Sequence, residues 1–447
     1  MPGLFRNYRI GQGGVNTVKS PLHLADDELT QAQNAELIED EDIGGDGALT
    51  KRGGLAVLNG SALTGSVLGM HGLPVLTTYT RTMYAAKGTA DTNTWMTSTN
   101  GSTWTNVTAP LRASDNDKYQ DENNERDARR AATYKNLIIY PGNDYTQDTD
   151  NPEISFLDGT NYLKVQHIGV GPSGNGSPPF AITDILAANG KIYFAVHDPG
   201  GSGANIAGRV MQYDPVTGKT TQVLNPFGNN TGDVTGGAPS CMVWYQNQLW
   251  VGLNGSATTD AIGKIVRAHP DVDTTWTTDV SNLRSHISTM AVFKGDLYAG
   301  TQSSVSTGAT ITRRLSTGVA WATQVTSGGG AAGNGHYASM LVDGDTAIYC
   351  VEYWSGGTDI IHILRSTDGV TWSTDRDVDA NDSIDTTNPQ EPGQSLLYNS
   401  AFYFVFRSTT ITATDGFIME RSSGGTYTKR NTSANLSGPL VTLVART

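Results

Sequence analysis

Two regularities and one compositional bias predict an all-β fold, a seven-bladed β-propeller that follows an N-terminal extended arm. A short apolar run recurs seven times at intervals of 48 to 57 residues, and a period of about 50 is typical of propeller repeats. Turns rich in Gly, Asn and Asp separate these runs from further apolar runs, which is a hairpin signal. Gly makes up 52 of 447 residues and charged residues only 16%, as expected of many short strands. The residues at the centres of the seven runs are Tyr84, Ile139, Tyr193, Trp250, Tyr298, Tyr349 and Tyr403.

Residues 1–60 precede the repeat and contain few apolar residues, so they cannot form a core of their own. We therefore predict a docking arm over residues 1–60 and the propeller over residues 61–447. Within the arm, Asp26-Asp27-Glu28 is expected to cap a short helix that runs through Leu29 and Leu37, because acidic residues are favourable at the positive end of a helix.

Each repeat is predicted to contain two hairpins. In the first hairpin, an apolar strand precedes the central run across a tight turn such as Asn189-Gly190 or Lys294-Gly295, where the backbone needs positive φ. In the second hairpin the clearest turn is Asp368-Gly369, and Asn100-Gly101 and Thr217-Gly218 are cognates. Two hairpins make four strands, which is one propeller blade.

The C-terminal segment Leu440–Val444 is an apolar strand left over after the seventh pair of hairpins. A ring of blades must be closed, because open edges at its two ends would otherwise be exposed. We expect this strand to pair with the first blade, near residues 66–68.

Charge and composition exclude several classes of protein. The net charge of -13 argues against a basic surface that grips nucleic acid. No apolar run reaches the roughly 18 residues of a membrane span, and the first residues lack the apolar core of a signal peptide. Cys241 and Cys350 lie in apolar strand patterns, which predicts buried free thiols in a chain made in a reducing cytoplasm.

No cofactor or metal site is predicted. The acidic run Asp375–Asp382 has alternating oxygen ligands, as a calcium loop would. Its sixth position is Ala380 instead of Gly, and its twelfth is Thr386 instead of Glu. A solvated acidic loop is the preferred interpretation, and a weak calcium site is the alternative.

The hairpin Ser366-Thr367-Asp368-Gly369-Val370-Thr371-Trp372 resembles the Asp-box turn of sialidases and many other propellers, and residues 98–104 form a looser copy. The resemblance implies a structural turn, in which Ser366 and Asp368 bond the backbone around Gly369 and Trp372 packs between blades. It implies nothing about catalysis.

A sialidase-like glycoside hydrolase is one alternative function. It would need an arginine trio, an acid and a tyrosine nucleophile at the mouth of the ring. The acids in apolar strand context are Asp184 and Glu352, and Arg9 lies in a sequence similar to the family's aromatic-Arg-Ile-Pro signature, without the proline and before the first blade. We interpret both acids as hydrogen-bonded strand residues and predict no catalytic residue.

The arm contains, in order, Gly13-Gly14, Pro21-Leu22, a segment around Asn34, and a run that contains Lys51-Arg52. This order resembles the N-terminal pattern of bacteriophage tail nozzle or hub proteins of the propeller type. The resemblance implies a docking arm whose residues are Gly13, Gly14, Pro21, Leu22, Asn34, Lys51 and Arg52.

That resemblance implies a structural virion protein that is not an enzyme. Such a subunit would form a closed homo-oligomeric ring in the phage tail, usually a hexamer, beside an adaptor or a neighbouring tail ring. Genome DNA would only pass through the ring, and an acidic balance suits a tube that must not bind phosphates. The first alternative is a carbohydrate-binding propeller, as a receptor binder at the tail tip or a secreted lectin, and it would need clustered aromatic residues exposed on one mouth. The sialidase-like hydrolase is the second alternative.

Overall fold

The computed structural model describes residues 35–38, 48–51, 82–87, 94–106, 131–134, 137–142, 153–157, 162–167, 181–197, 208–224, 237–254, 263–273, 275–284, 286–303, 308–326, 334–355, 360–378, 390–408, 417–430 and 440–446. The chain divides into two compact parts, residues 1–78 and 79–447. The predicted boundary after residue 60 lies outside the described residues. No helix in the described ranges is long and apolar enough to cross a membrane.

In the first part, strand β1 (Ala35–Ile38) pairs with β2 (Ala48–Lys51) in antiparallel register. The predicted helix through Leu37 is therefore wrong at this position, because Leu37 lies opposite Leu49 in a two-stranded sheet. The acidic cap at residues 26–28 lies outside the described residues.

The second part is all-β, with strands in successive antiparallel groups. Group one contains β3 (Thr82–Lys87), β4 (Thr94–Ser98) and β5 (Thr105–Asn106). Group two contains β6 (Ala132–Tyr134), β7 (Leu137–Gly142), β8 (Glu153–Leu157) and β9 (Tyr162–His167). Group three contains β10 (Ala181–Ala188), β11 (Lys191–His197), β12 (Gly208–Asp214) and β13 (Lys219–Leu224). Group four contains β14 (Pro239–Tyr245), β15 (Gln248–Leu253), β16 (Lys264–Ala268) and β17 (Thr277–Val280).

The later groups follow the same order. Group five contains β18 (His286–Phe293), β19 (Asp296–Ser303), β20 (Thr310–Arg314) and β21 (Trp321–Thr326). Group six contains β22 (Asn334–Asp343), β23 (Ala347–Ser355), β24 (Ile360–Ser366) and β25 (Ser373–Asp377). Group seven contains β26 (Gln390–Pro392), β27 (Leu396–Tyr398), β28 (Ala401–Ser408), β29 (Phe417–Arg421) and β30 (Tyr427–Lys429). The last strand is β31 (Leu440–Arg446).

Within groups one to six, consecutive strands pair as antiparallel neighbours. Groups five and six are joined into one sheet by a short pairing of β19 with β22, at Gln302–His336 and Ser303–Gly335. In group seven, β26 and β27 both pair with β28, so the first strand of that group is interrupted.

Strand β31 pairs with β3 and completes group one. The expectation that the C-terminal strand joins the first group is confirmed. Its partner is Thr82–Lys87, with Tyr84 opposite Val444, and residues 66–68 lie outside the described residues.

The tight turns follow the predicted chemistry. Asn189, Gln246 and Lys294, together with the residue that follows each of them, have positive φ between the first two strands of groups three to five. That backbone is what a two-residue hairpin turn needs.

The seven aligned residues lie in the second strand of each group and are all buried. An apolar cluster lies between each two successive groups from group two to group seven. A further apolar cluster lies between groups seven and one. In the last of these, Met83 and Met96 of group one pack with Tyr403 and Ile418 of group seven.

The first strands of the groups contact one another in succession. The contacts run from β6 to β10, β14, β18, β22 and β27 in turn. Strand β31 contacts β27 on one side and β6 on the other. The succession therefore returns to its starting strand.

Candidate functional site

The Asp-box-like turn of group six is held by two side chains. The Ser366 hydroxyl accepts a hydrogen bond from the Gly369 amide at 2.8 Å and donates to the Asp368 carboxylate at 2.9 Å. The same carboxylate accepts the amides of Val370 at 2.8 Å and Thr371 at 2.7 Å. These bonds hold the pKa of Asp368 well below its usual range.

The looser copy in group one has the same geometry with Asn in place of Asp. The Ser98 hydroxyl accepts the Gly101 amide at 2.9 Å. The Asn100 side-chain oxygen accepts the amides of Ser102 and Thr103, both at 2.9 Å. In this turn an uncharged amide oxygen therefore accepts the hydrogen bonds that the charged carboxylate of Asp368 accepts in group six.

Both turns contact the preceding group through their glycines. A Cβ added to Gly369 would lie 1.8 Å from the Tyr298 hydroxyl, and one added to Gly101 would lie 2.6 Å from the Tyr403 hydroxyl. Trp104 is buried in the cluster between groups seven and one, and Trp372 packs against the cluster between groups five and six. The sequence prediction of a structural turn is consistent with these contacts.

A second kind of contact joins the first strands. Each of four first strands has a register shift at one hydroxyl residue, namely Thr183, Ser240, Ser288 and Ser339. The Thr183 hydroxyl donates to the Pro239 carbonyl at 2.7 Å, and the Ser240 hydroxyl donates to the Ile287 carbonyl.

The same pattern continues through the next two groups. The Ser288 hydroxyl donates to the Tyr337 carbonyl at 2.5 Å and also lies 3.0 Å from the Gly300 carbonyl. The Ser339 hydroxyl donates to the Ser395 hydroxyl at 2.8 Å and accepts the Ser395 amide at 3.0 Å. A bulged hydroxyl thus bonds each of groups three to six to the group that follows.

Gln394 links group seven to group two. Its side-chain oxygen accepts the Ala131 amide at 2.8 Å, and its side-chain nitrogen donates to the Ala131 carbonyl at 2.9 Å. The side chain therefore forms the same pair of bonds that a strand neighbour would form.

Buried ion pairs form a third kind of contact, between groups four and five. Asp279 accepts Arg267 Nε at 3.0 Å, Arg314 Nε at 2.9 Å and Trp321 Nε1 at 2.7 Å. The Arg314 guanidinium carbon also lies 4.9 Å from the ring centroid of Trp250. The aligned aromatic residue of group four is thus covered by a paired cation of group five.

Groups six and seven repeat this arrangement. Asp375 accepts Arg421 Nε and the Tyr427 hydroxyl, both at 2.6 Å, and Arg421 lies 5.1 Å from the ring centroid of Tyr349. Burial lowers the pKa of Arg421, but the hydrogen bond and the negative charge of Asp375 raise it, and the net effect is a raised pKa. Asp375 is therefore engaged in an ion pair, and residues 379–382 of the predicted acidic run lie outside the described residues, as does Thr386.

The two acids singled out from the sequence are both hydrogen-bonded strand residues. Asp184 is buried and accepts the Met242 amide at 2.6 Å, which joins group three to group four. Glu352 lies 3.0 Å from His362 Nδ1 on the neighbouring strand. The structure places Asp184 and Glu352 in different groups and does not bring them together.

Glu352 belongs to a row of four register partners across group six, Tyr337, Glu352, His362 and Asp377. Burial, followed by the charge of Glu352, raises the pKa of Tyr337 far above its usual range. The same two causes raise the pKa of the buried Cys350 thiol. Groups with these shifts stay neutral at physiological pH. In the described ranges, no three His, Cys, Asp or Glu side chains are grouped so that they could hold a metal ion.

Of the predicted arm residues, Lys51 is the last residue of β2. Gly13, Gly14, Pro21, Leu22, Asn34 and Arg52 lie outside the described residues, as does Arg9 of the hydrolase alternative.

Comparison with known proteins assigns no family to this chain. No family model matches it, and no curated protein matches it. Solved structures that resemble it do so at low identity.

An ulvan lyase matches 82% of this chain and 91% of its own, at 8% identity and a TM-score of 0.48. A puromycin-hydrolysing peptidase of Mycobacterium tuberculosis matches 80% of this chain at 9% identity and a TM-score of 0.48, and the match spans 53% of the peptidase. A chain of a nidogen–laminin complex matches 67% of this chain and 96% of its own, at 10% identity and a TM-score of 0.37. Likenesses this distant do not establish a shared activity.

Proposed function

We propose that the seven strand groups are the blades of a closed β-propeller that serves as a rigid structural subunit. The observation that carries this proposal is the succession of first-strand contacts, which runs from β6 to β27 and returns to β6 through β31. The pairing of β31 with β3 supports closure, because it combines strands from the two ends of the repeat region in one group.

The contacts between groups support a structural role. Asp184, Asp279 and Asp375 bond a neighbouring group, and the hydroxyls of Ser240 and Ser288 do the same. The carboxylates of Asp184, Asp279 and Asp375 are thus engaged in holding the groups together. A disc joined in this way resists deformation when other proteins bind it.

The assembly that we propose is a bacteriophage virion, in which the chain is a tail hub or nozzle subunit. The support is the order of Gly13-Gly14, Pro21-Leu22, Asn34 and Lys51-Arg52 in the arm. The arm would dock on an adaptor or neighbouring tail ring, and copies of the chain would form a ring, with six copies as the expected number. The net charge of -13 suits a passage for DNA.

Light scattering and electron microscopy of the full chain test this proposal. We expect closed rings whose mass is several times the 47.5 kDa of one chain. A Pro21→Asp/Leu22→Asp double variant should lose the rings and keep its melting temperature, because it alters the arm and leaves the propeller intact.

Thr323→Asp is the matched control, since Thr323 is exposed on β21 and is not part of the arm sequence, and it should assemble like the wild type. A chain that stays monomeric and cleaves a fluorogenic sialoside would contradict the proposal and favour the hydrolase alternative.

A further inference from the structure

Ion pairs join the fourth strand to the third in groups four and seven. Arg267 of β16 lies 3.0 Å from Asp279 of β17. Arg430, the residue after β30, lies 2.7 Å from Glu420 of β29. Arginine keeps its charge in folded proteins, and carboxylates are ionised well below neutral pH. Neither contact should therefore change between about pH 6 and pH 9.

A histidine lies at this contact in group six. His362 of β24 has two register partners, Glu352 of β23 and Asp377 of β25. Its Nδ1 lies 3.0 Å from a Glu352 carboxylate oxygen, and its Nε2 lies 3.9 Å from an Asp377 carboxylate oxygen. The first distance allows a hydrogen bond, and the second allows charge attraction only. A charged imidazole therefore attracts the strands on both of its sides.

The other titratable groups on this side of group six are neutral. Tyr337, the register partner of Glu352 on β22, lies in the apolar cluster between groups five and six, so the row faces group five. Burial and the charge of Glu352 raise the pKa of Tyr337 and of the buried Cys350 thiol. From group five, the same cluster contains Tyr298, whose pKa is raised by burial to about 12.

The arginines of β24 and β25 lie on the opposite side, toward group seven. Arg365 lies 6.0 Å from the ring centroid of Tyr349, which belongs to the cluster between groups six and seven. Arg376 lies 5.7 Å from the ring centroid of Tyr427, which packs against the same cluster. The charge between Glu352 and Asp377 is therefore set by His362.

We propose that protonation of His362 controls how firmly β25 is held to group six. The charged ring attracts Glu352 and Asp377, whereas the two carboxylates repel each other across a neutral ring. The side chains of His362 and Asp377 are 25% and 41% exposed, so protons can exchange with solvent.

The pH at which the contact changes follows from the charges. A histidine titrates near pH 6.5 in an unfolded chain, and in the folded protein the two carboxylates favour its charged form. The stabilisation by His362 is therefore fully present below about pH 6.5 and is lost as pH rises above that value.

A second contact of β25 does not titrate in this range. Asp375 accepts Arg421 Nε and the Tyr427 hydroxyl of group seven, both at 2.6 Å. Burial, followed by the hydrogen bond to Asp375, raises the pKa of Tyr427 far above its usual range. The strand therefore stays in place at alkaline pH, and what changes is how often it opens.

Hydrogen exchange of the full chain, followed by mass spectrometry at about pH 6 and about pH 8.5, tests the proposal. The rates are corrected for the exchange of an unstructured chain at each pH. We expect the protection of β25 (Ser373–Asp377) to be about three to ten times lower at the higher pH. The internal control is β17 (Thr277–Val280), whose partner is Arg267, and its protection should not change.

Three variants identify the group responsible. His362→Gln removes the titratable charge, so protection of β25 should be low at both pH values. His362→Arg carries a permanent charge, so protection should be high at both. Asp377→Asn changes a partly exposed side chain, which keeps the test open if the substitutions of His362 prevent folding, and it should reduce the pH dependence.

The proposal is overturned if the protection of β25 in the wild type is independent of pH. It is also overturned if β17 changes in parallel, because the effect would then be global. Retention of the full pH dependence in His362→Gln or in Asp377→Asn would likewise exclude His362 as the controlling group.

Discussion

The hydroxyl of Tyr298 occupies the space that a side chain at Gly369 would need. An ideal Cβ on Gly369 would lie 1.8 Å from that oxygen, and Gly369 has a φ of +73°. Tyr298 belongs to group five and Gly369 to the Asp-box-like turn of group six. The glycine therefore meets two requirements at once, the left-handed turn and close packing between neighbouring groups.

Gly369→Ala should destabilise the protein by about 2–4 kcal/mol, because it adds the cost of a left-handed residue to an overlap with Tyr298. Gly295→Ala is the matched control. Gly295 has a φ of +78°, and no heavy atom lies within 4 Å of its added Cβ, so it should cost only about 1–2 kcal/mol. Denaturant unfolding compares the two variants, and equal losses would mean that the contact with Tyr298 contributes nothing.

The sequence could predict the repeat, the hairpins and the C-terminal closing strand, because these depend on local pattern and turn chemistry. It did not predict the bulged hydroxyls, since their function depends on which strand of the next group lies beside them. A signal was present: Thr183, Ser240, Ser288 and Ser339 each lie ten residues before the aligned aromatic residue of their group.

The sequence also did not predict the ion pair of Asp279 with Arg314. The two residues are 35 positions apart in different groups, and neither belongs to a recognisable motif. Long-range ion pairs of this kind follow from the packing of the groups and cannot be read from spacing alone. The predicted helix through Leu37 failed for a related reason, since pairing with residues 48–51 overrode local helix preference.

Asp368→Asn should make stability less sensitive to acid. The pKa of Asp368 is lowered in the folded protein by the turn amides, whereas an unfolded Asp titrates near 3.9. Unfolding therefore takes up a proton at acidic pH, so the contribution is complete above about pH 5 and is lost as pH falls toward the folded pKa. The variant should take up about one proton fewer on unfolding between roughly pH 2 and 4.

Asn100→Asp is the reciprocal change in the sister turn, which has the same amide donors. It should increase the acid sensitivity by a similar amount. Melting temperatures measured from pH 2 to 7 check both variants, with neutral-pH stability as the reference. Parallel curves for wild type, Asp368→Asn and Asn100→Asp would show that these turns do not bind the carboxylate as described.

Asp279→Ala should cost about 3–5 kcal/mol, because it leaves the buried Arg314 guanidinium without its carboxylate. The side chains of Arg314 and Asp279 are only 5% and 3% exposed. Adding Arg314→Met should recover part of that loss, since the double variant removes the more deeply buried of the two guanidinium groups that Asp279 pairs. The exposed Asp345→Ala is the control and should change stability by less than about 0.5 kcal/mol. Additive losses in the double variant would contradict the coupling.

Ser288→Ala should cost about 1–3 kcal/mol, because the Tyr337 and Gly300 carbonyls lose their hydroxyl contact. Ser281 is exposed before β18, and Ser281→Ala should be neutral within about 0.5 kcal/mol. Thermal and denaturant unfolding of both variants provide the comparison. If Ser288→Ala leaves the free energy of unfolding unchanged, the bulged hydroxyls do not stabilise the contacts between groups.

Closure of the ring is tested most directly by a disulfide between the strands that complete group one. Thr82 lies opposite Arg446 in the register of β3 and β31, and cross-strand neighbours have Cα separations that a disulfide can bridge. The native Cys241 and Cys350 are buried, so they should not compete. Under mild oxidation the folded Thr82→Cys/Arg446→Cys chain should form an intramolecular disulfide, identified by peptide mass spectrometry, with a higher melting temperature than its reduced form. Absence of that disulfide in the folded protein, with both cysteines still reactive to a thiol reagent, would contradict a closed propeller.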